Sequence, residues 1–375
     1  MATGLEGRLE VRVHWDGERI VSAEPRSARP VDACRVLVGR RAGEALAMVP
    51  MLFSLCGRAQ AAVAAHALAA AGEPQVAPLP DRAVAVESVL ESLWRLLHDL
   101  PRALGEAPNI ERFAPVRQAL LASLADDTAF PDALARLQAL LEQEVLGSDG
   151  PGPDPDAHAA WLAAGSTPVA GWLGALEEAG FLAWGTGATP LMTARPGREA
   201  LMRLAERLAG EEGFAWRPDW LGRPVETGAL AARQDEPLVR QLRAARGHDC
   251  ATRLAARLVD LQLLVDGLAN HAPLELSGGI GLGERVGLGW GQTARGLLLH
   301  RVALDASGSV ADYRVLAPTE WNFHPGGALA RGLEAQPVDD EARLRRGVTL
   351  AVLALDPCVA FGIEVERPRA ASHGV

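Results

Sequence analysis

Four cysteines, Cys34, Cys56, Cys250 and Cys358, are the residues best suited to chemistry in this chain, because a thiolate is both a nucleophile and a soft metal ligand. No two of them form a CxxC pair, which argues against a structural zinc site or an iron–sulfur cluster held by this chain alone. Cys358 follows Asp356-Pro357. Pro357 breaks a helix arriving from the N-terminal side, so Cys358 sits at a turn beside a helix terminus. Cys56 lies in the mirror situation, just before Gly57 inside a helical run. A lone cysteine in an apolar setting is ordinarily a small core residue, and either thiol taken singly has that reading. The remaining patterns are weaker. The stretch Gly278 to Gly283 lacks the lysine and hydroxyl of a phosphate loop, and close backbone packing around a turn accounts for it better. The histidines show no HExxH or paired spacing, and no GxSxG elbow marks a serine nucleophile.

The elements that must position these thiols follow from periodicity and turn chemistry. Leu9 to His14, the pair Asp16-Gly17 and Ile20 to Ala23 read as a β-hairpin. From Gly43 to about Ala71 the pattern is helical and Ala-rich, broken near Cys56-Gly57, and further helices are expected over 83–104, 109–125 and 130–145. Residues 147–156 are rich in Gly, Pro and Asp and read as a surface loop rather than a domain linker. Pro196-Gly197 starts a helix to Gly210, and one long helix is expected from Glu236 to Leu268. The Gly-rich segment Gly278 to Gly291 precedes a second hairpin, Leu297 to Leu304 and Val310 to Leu316, turning at Asp305 to Gly308. A terminal helix over Asp339 to Leu355 and a polar tail over 366–375 complete the chain. This order fits one α+β unit over 1–375, mostly α, whose two ends pack together.

Composition narrows the function classes. With 375 residues and 49% hydrophobic content the chain can bury a large core. A formal charge of −10 argues against a sequence-independent grip on nucleic acid. No apolar run approaches the ~20 residues of a membrane span, and residues 1–10 lack the basic-then-apolar pattern of a secretory signal. The expected location is the cytoplasm, where the cysteines stay reduced.

Six segments carry a further signal in their order: Glu6-Gly7-Arg8-Leu9; Gly39-Arg40 through Leu55-Cys56; Glu226-Thr227-Gly228-Ala229-Leu230-Ala231-Ala232-Arg233; Ala294-Arg295-Gly296 with His300; Pro318-Thr319-Glu320-Trp321-Asn322; and Asp356-Pro357-Cys358 through Glu364. Together they resemble the EGHL, GRDPRDA…RICGVC, EVGPLAR, EAPRG…H, PTTWN and DPCxxCxxH motifs of the nickel-iron hydrogenase large subunit. The resemblance covers both ends and the C-terminal third, and none is visible over 75–220. It implies that family's fold, with β-hairpins near each end packed beside a helical bundle.

The departures matter as much as the matches. In the family four thiolates hold nickel, and two of them also bridge to an iron carrying CO and cyanide. Here the ungapped register puts Phe53 and Phe361 on two of those four positions, Gln60 on a family histidine, and Arg8 on the histidine of the first motif. Nickel needs soft thiolate ligands, so no nickel site is expected. Cys34 and Glu364 stand where the family has magnesium ligands, so no magnesium is expected either. By resemblance Cys56 and Cys358 come together and hold a lone iron unit, Fe(CN)2(CO), in passing. Arg295 stands over that unit, Thr319 offers a hydroxyl to a cyanide nitrogen, and Glu6 and Gln60 lie nearby; anionic cyanide favours such donors.

This pattern is similar to the HupK/HoxV type of hydrogenase-like accessory protein. It implies a non-catalytic scaffold that receives the iron unit with maturation chaperones and passes it to the hydrogenase large subunit. Two other classes are weighed against it: a metal-free structural subunit similar to the quinone-contacting subunit of respiratory complex I, and a mononuclear iron enzyme.

Overall fold

The computed structural model describes residues 7–28, 31–53, 55–73 and 76–367. Strands β1 (Leu9–Trp15) and β2 (Ile20–Ser27) form the expected hairpin. Leu9, Val11, Val13 and Trp15 alternate into the core, as a half-buried strand requires. The turn is held by Asp16, whose carboxylate accepts the N–H groups of Glu18 and Arg19.

The Ala-rich run divides, as its Cys56-Gly57 break suggests, into α1 (Ala42–Leu52) and α2 (Gly57–Ala70). Helix α3 (Asp81–Trp94) continues through a π-helical turn, Arg95–Asp99, into Leu100–Leu104. Ile110–Ser123 and Phe130–Leu140 follow as helices. The 147–156 loop is less free than its composition suggests, since Pro151 is buried and its carbonyl lies 2.9 Å from His158 Nδ1. The helix expected over Glu236 to Leu268 is in fact two, Pro237–Arg246 and Cys250–Ala269. Gly247 takes a φ of 71°, and the Asp249 carboxylate caps the second helix by accepting the Thr252 N–H at 2.8 Å. A local capping preference there overrides a continuous apolar period.

The Gly-rich segment is not a turn. It forms β3 (Ser277–Gly283) and β4 (Val286–Thr293), which with β5 (Gly296–Leu304) and β6 (Val310–Leu316) make one antiparallel four-stranded sheet in the order β3-β4-β5-β6. The expected second hairpin is therefore half of a larger sheet. Close packing does explain the glycines, but against a helix: a Cβ on Gly287 or Gly289 would lie 2.1 or 2.0 Å from the backbone oxygens of Ala67 or Val63 in α2. Alanines on α2 and glycines on β4 are two halves of one contact.

A seventh strand, β7 (Phe361–Glu366), pairs in parallel with β1, Phe361 opposite Leu9, giving a sheet ordered β2-β1-β7. Residues expected at a metal motif and a polar tail thus become sheet, up to Glu366; 368–375 lie outside the described residues. The main core cluster joins β1 and β2 to α3, the following helices, Cys250–Ala269 and Glu341–Leu355. A second cluster lies between α1, α2, β5 and β6. Among the described residues no helix is long and apolar enough to cross a membrane.

Candidate functional site

Cys358 is presented by a helix end that the sequence makes unavoidable. Helix Glu341–Leu355 stops because Asp356 adopts the left-handed conformation (φ 55°) and Pro357 cannot continue it. Three buried arginines hold this turn. Arg95, from the π-helical turn after α3, donates through Nε to Asp356 Oδ1 at 2.9 Å and through Nη2 to the Pro357 carbonyl at 3.2 Å. Arg257 lies 3.0 Å from Asp356 Oδ2, and Arg295 Nε lies 3.5 Å from Asp356 Oδ1. Burial would raise the Asp356 pKa, but the three guanidinium groups dominate and hold it well below the usual carboxylate range. A π turn in an otherwise regular helix often marks a site; here it aims Arg95.

The next residue is tied to another motif. Thr319 Oγ1 donates to Cys358 Sγ at 2.9 Å and accepts the Cys358 N–H at 3.3 Å. Asn322, from the same Pro318–Asn322 helix, accepts the Thr227 N–H at 2.9 Å and donates to the Arg295 carbonyl at 3.1 Å. Thr227 Oγ1 in turn accepts the Leu297 N–H at 2.7 Å. Gly296, with φ 120°, makes this approach possible, since a Cβ there would lie 1.8 Å from Thr227 Oγ1. The segments that looked like separate motifs are one hydrogen-bonded assembly.

Arg295 is 4% exposed and pairs with Glu91 of α3 at 2.5 Å. Burial opposes its charge, but Asp356, Glu91 and the sulfurs of Cys358 and Cys56 outweigh that and raise its pKa above the ordinary value. Both thiols are thus electrostatic neighbours of one guanidinium. Its buried Nε makes no hydrogen bond but faces Asp356 Oδ1 at 3.5 Å, so that edge of the guanidinium is directed at the carboxylate. Cys56 is the N-cap residue of α2 and receives a hydrogen bond from Gln60 Nε2 at 3.4 Å. Gln60 Oε1 lies 2.7 Å from His300 Nε2, and His300 Nδ1 lies 2.7 Å from the Tyr313 hydroxyl. A cleft of about 410 Å3 opens beside this assembly, lined among others by Leu55, Gly57, Arg58, Glu87 and Glu91. Glu87 accepts the N–H groups of Arg58 and Ala59 at 2.9 and 2.8 Å, and burial pushes its carboxyl up to about 7.

Of the residues singled out from sequence, Cys56, Cys358, Arg295, Thr319 and Gln60 all take part in this assembly. The Thr319 hydroxyl expected to face a cyanide bonds Cys358. Glu6 lies outside the described residues. Phe53 packs among Cys34, Leu37 and Val49, and Phe361 packs with β7 against the main core. Glu364 lies on β7 with Arg12, whereas Cys34 is buried in the second cluster. Among the described residues no group of three or more His, Cys, Asp or Glu could hold a metal ion. Cys250 is fully buried and its thiol is pushed up to about 12 by burial, which makes it inert core. Arg95, Arg257, Glu87, Glu91 and Tyr313 were not found from sequence. Arg253 and Arg257 did leave a trace, as two cations four residues apart inside an apolar helical run; Arg253 pairs with Glu226 through two 2.8 Å bonds.

The chain is 33% identical over 368 residues to the hydrogenase expression/formation protein HoxV of Cupriavidus necator, covering 90% of this chain and 91% of that one. It is 34% identical over 366 residues to the hydrogenase expression/formation protein HupK of Rhizobium leguminosarum bv. viciae, covering 92% of each. HupV of Azotobacter chroococcum is 33% identical over 380 residues, 96% of this chain and 99% of that one. No protein-family model matches the chain. Among solved structures, the [NiFeSe] hydrogenase of Desulfovibrio vulgaris Hildenborough superposes with a TM-score of 0.60 at 14% identity, over 91% of this chain and 93% of that one. The Ni-Fe-Se hydrogenase of Desulfomicrobium baculatum gives a TM-score of 0.54 at 12% identity, covering 92% and 95%. The fold is that of the nickel-iron hydrogenase large subunit.

Proposed function

Since the chain belongs to the family of hydrogenase expression/formation proteins that includes HoxV, HupV and HupK, we propose that it is a non-catalytic scaffold in hydrogenase maturation. Its cargo is the Fe(CN)2(CO) unit, held between Cys56 and Cys358 and then passed to the hydrogenase large subunit. The observation that carries this reading is that both thiols neighbour one buried, positively charged arginine. Thiolates are soft donors suited to iron. A buried guanidinium beside both thiols suits the anionic cyanides.

The donor set also argues for carrying rather than catalysing. Phe53 and Phe361 supply no ligand where the family supplies thiolates, so the chain has no means of holding nickel beside the iron. A carrier with two thiolates hands its cargo downhill to an acceptor with four. The magnesium positions are likewise occupied by Cys34 and Glu364, which lie in different parts of the fold. The cleft beside Cys56 is the natural approach for cargo delivered by maturation partners, and the reading places the protein with them in the cytoplasm.

The test is infrared spectroscopy with metal analysis on protein purified anaerobically from cells that mature a hydrogenase, together with Cys56→Ala and Cys358→Ala. Carbonyl and cyanide stretches with iron and without nickel, lost in either variant, are expected. Clean protein without those bands, from cells whose hydrogenase matures, sinks the reading.

A further inference from the structure

Gln60, His300 and Tyr313 form a buried chain that ends on the half-buried Cys56, and a thiolate at that end fixes its hydrogen-bond direction. Gln60, His300 and Tyr313 are 1%, 0% and 3% exposed. A cysteine that binds metal does so as a thiolate, which only accepts hydrogen bonds. Its partner on Gln60 must then be the amide NH2, as the 3.4 Å contact from Nε2 has it. That choice turns Gln60 Oε1 toward His300, so Nε2 of the imidazole must carry the proton in their 2.7 Å contact. Nδ1 is left as an acceptor, and the Tyr313 hydroxyl, 2.7 Å away, must donate to it. Burial keeps that hydroxyl protonated. The thiolate end sets the direction, and each member of the chain then satisfies the next.

We propose that Tyr313 and His300 are positioning residues that lock the Gln60 carboxamide as a hydrogen-bond donor to the Cys56 sulfur. The inference rests on the reading of Cys56 as an iron ligand. A donor on a coordinated sulfur withdraws electron density from the iron, and a carbonyl on that iron reports the change directly. The lock weakens the grip of this thiolate, which suits a site that must release what it holds. Without the Tyr313 hydroxyl, the buried Nδ1 loses its donor, the Nε2–H tautomer from which Gln60 Oε1 accepts is less favoured, and the bond from the Gln60 amide to the sulfur weakens. A hydroxyl that touches neither Gln60 nor Cys56 thereby controls the electron density on the sulfur.

Two measurements on the anaerobically purified full chain test this, with Tyr313→Phe, which keeps the ring and its packing, and Gln60→Glu. Nitrogen-15 resonances of His300 should report Nε2–H in the wild-type chain and a smaller Nε2–H share in Tyr313→Phe. In iron-loaded protein, the carbonyl band should move to lower wavenumber in both variants, further in Gln60→Glu, because the sulfur donates more strongly once its hydrogen bond is weakened or lost. A wild-type Nδ1–H tautomer, or carbonyl bands at the wild-type position in both variants, overturns the lock. Absence of any carbonyl band from wild-type protein defeats the scaffold reading instead, and a wild-type Nε2–H share that persists undiminished in Tyr313→Phe then overturns the lock independently of iron.

Discussion

Thr319 and Cys358 hold each other twice, hydroxyl to sulfur at 2.9 Å and amide N–H to hydroxyl at 3.3 Å. The pair joins two segments 39 residues apart and fixes the direction of the thiol. Replacing Thr319 by Val keeps the shape but leaves the buried Cys358 N–H unpaired. The expected loss is about 1–3 kcal/mol in urea denaturation, with Thr319→Ser costing less. Equal stabilities for Thr319→Val and the wild type would show that the pair is incidental.

Asp356 is the counter-ion of Arg95, Arg257 and Arg295. Asp356→Asn removes the one negative charge that the three share among the described residues, and the expected destabilisation is about 3–5 kcal/mol. Because the carboxyl is held below its unfolded value, its stabilisation is complete above the ordinary Asp range and is lost as pH falls through the folded value. Acid unfolding followed by circular dichroism should therefore be shallower in the variant, and an unchanged acid profile would refute the assignment.

Glu87 behaves in the opposite sense. Its carboxyl is raised from 4.5 to about 7, so the folded chain binds the extra proton and stability falls as pH rises across that window. The full excursion is on the order of 3–4 kcal/mol. Glu87→Gln should remove the slope, at some overall cost because its NH2 faces a backbone N–H. Urea midpoints measured from pH 5 to 8 decide the matter, and the idea fails if both proteins show the same slope.

Gly289→Ala should lower the stability measured by urea denaturation by at least about 1–3 kcal/mol, since its Cβ would strike the Val63 carbonyl at 2.0 Å. On the scaffold proposal the same variant should also recover less iron, because α2 carries Cys56 at its N-cap. Gly43→Ala in α1, where a Cβ meets nothing within 4 Å, is the matching control and should be neutral or stabilising by about 0.4–1 kcal/mol. Comparable losses in the two would show that the strand–helix contact is not the cause.

Much of the site could be read from residue order. Pro357 after a helical run forces a turn before Cys358, Gly57 after Cys56 marks a helix start, and the alternation of Leu9 to Trp15 defines a strand with one buried face. These are local rules, acting over a few residues, and the chain alone carries them. The motifs also named the family, because residues such as Gly296 and Asn322 answer to contacts that tolerate no other side chain.

What only the tertiary structure decided is which residues answer one another across long separations. Gly279 looked like part of a turn until α2 was laid against it, and Phe361 became the start of a strand because it pairs in parallel with β1. Arg95, Glu91 and Tyr313 carried no signal, since a charged or aromatic residue on a helix or strand reads the same whether it meets solvent or a buried partner. Hydrogen bonding and burial are properties of pairs, and a sequence displays its residues one at a time.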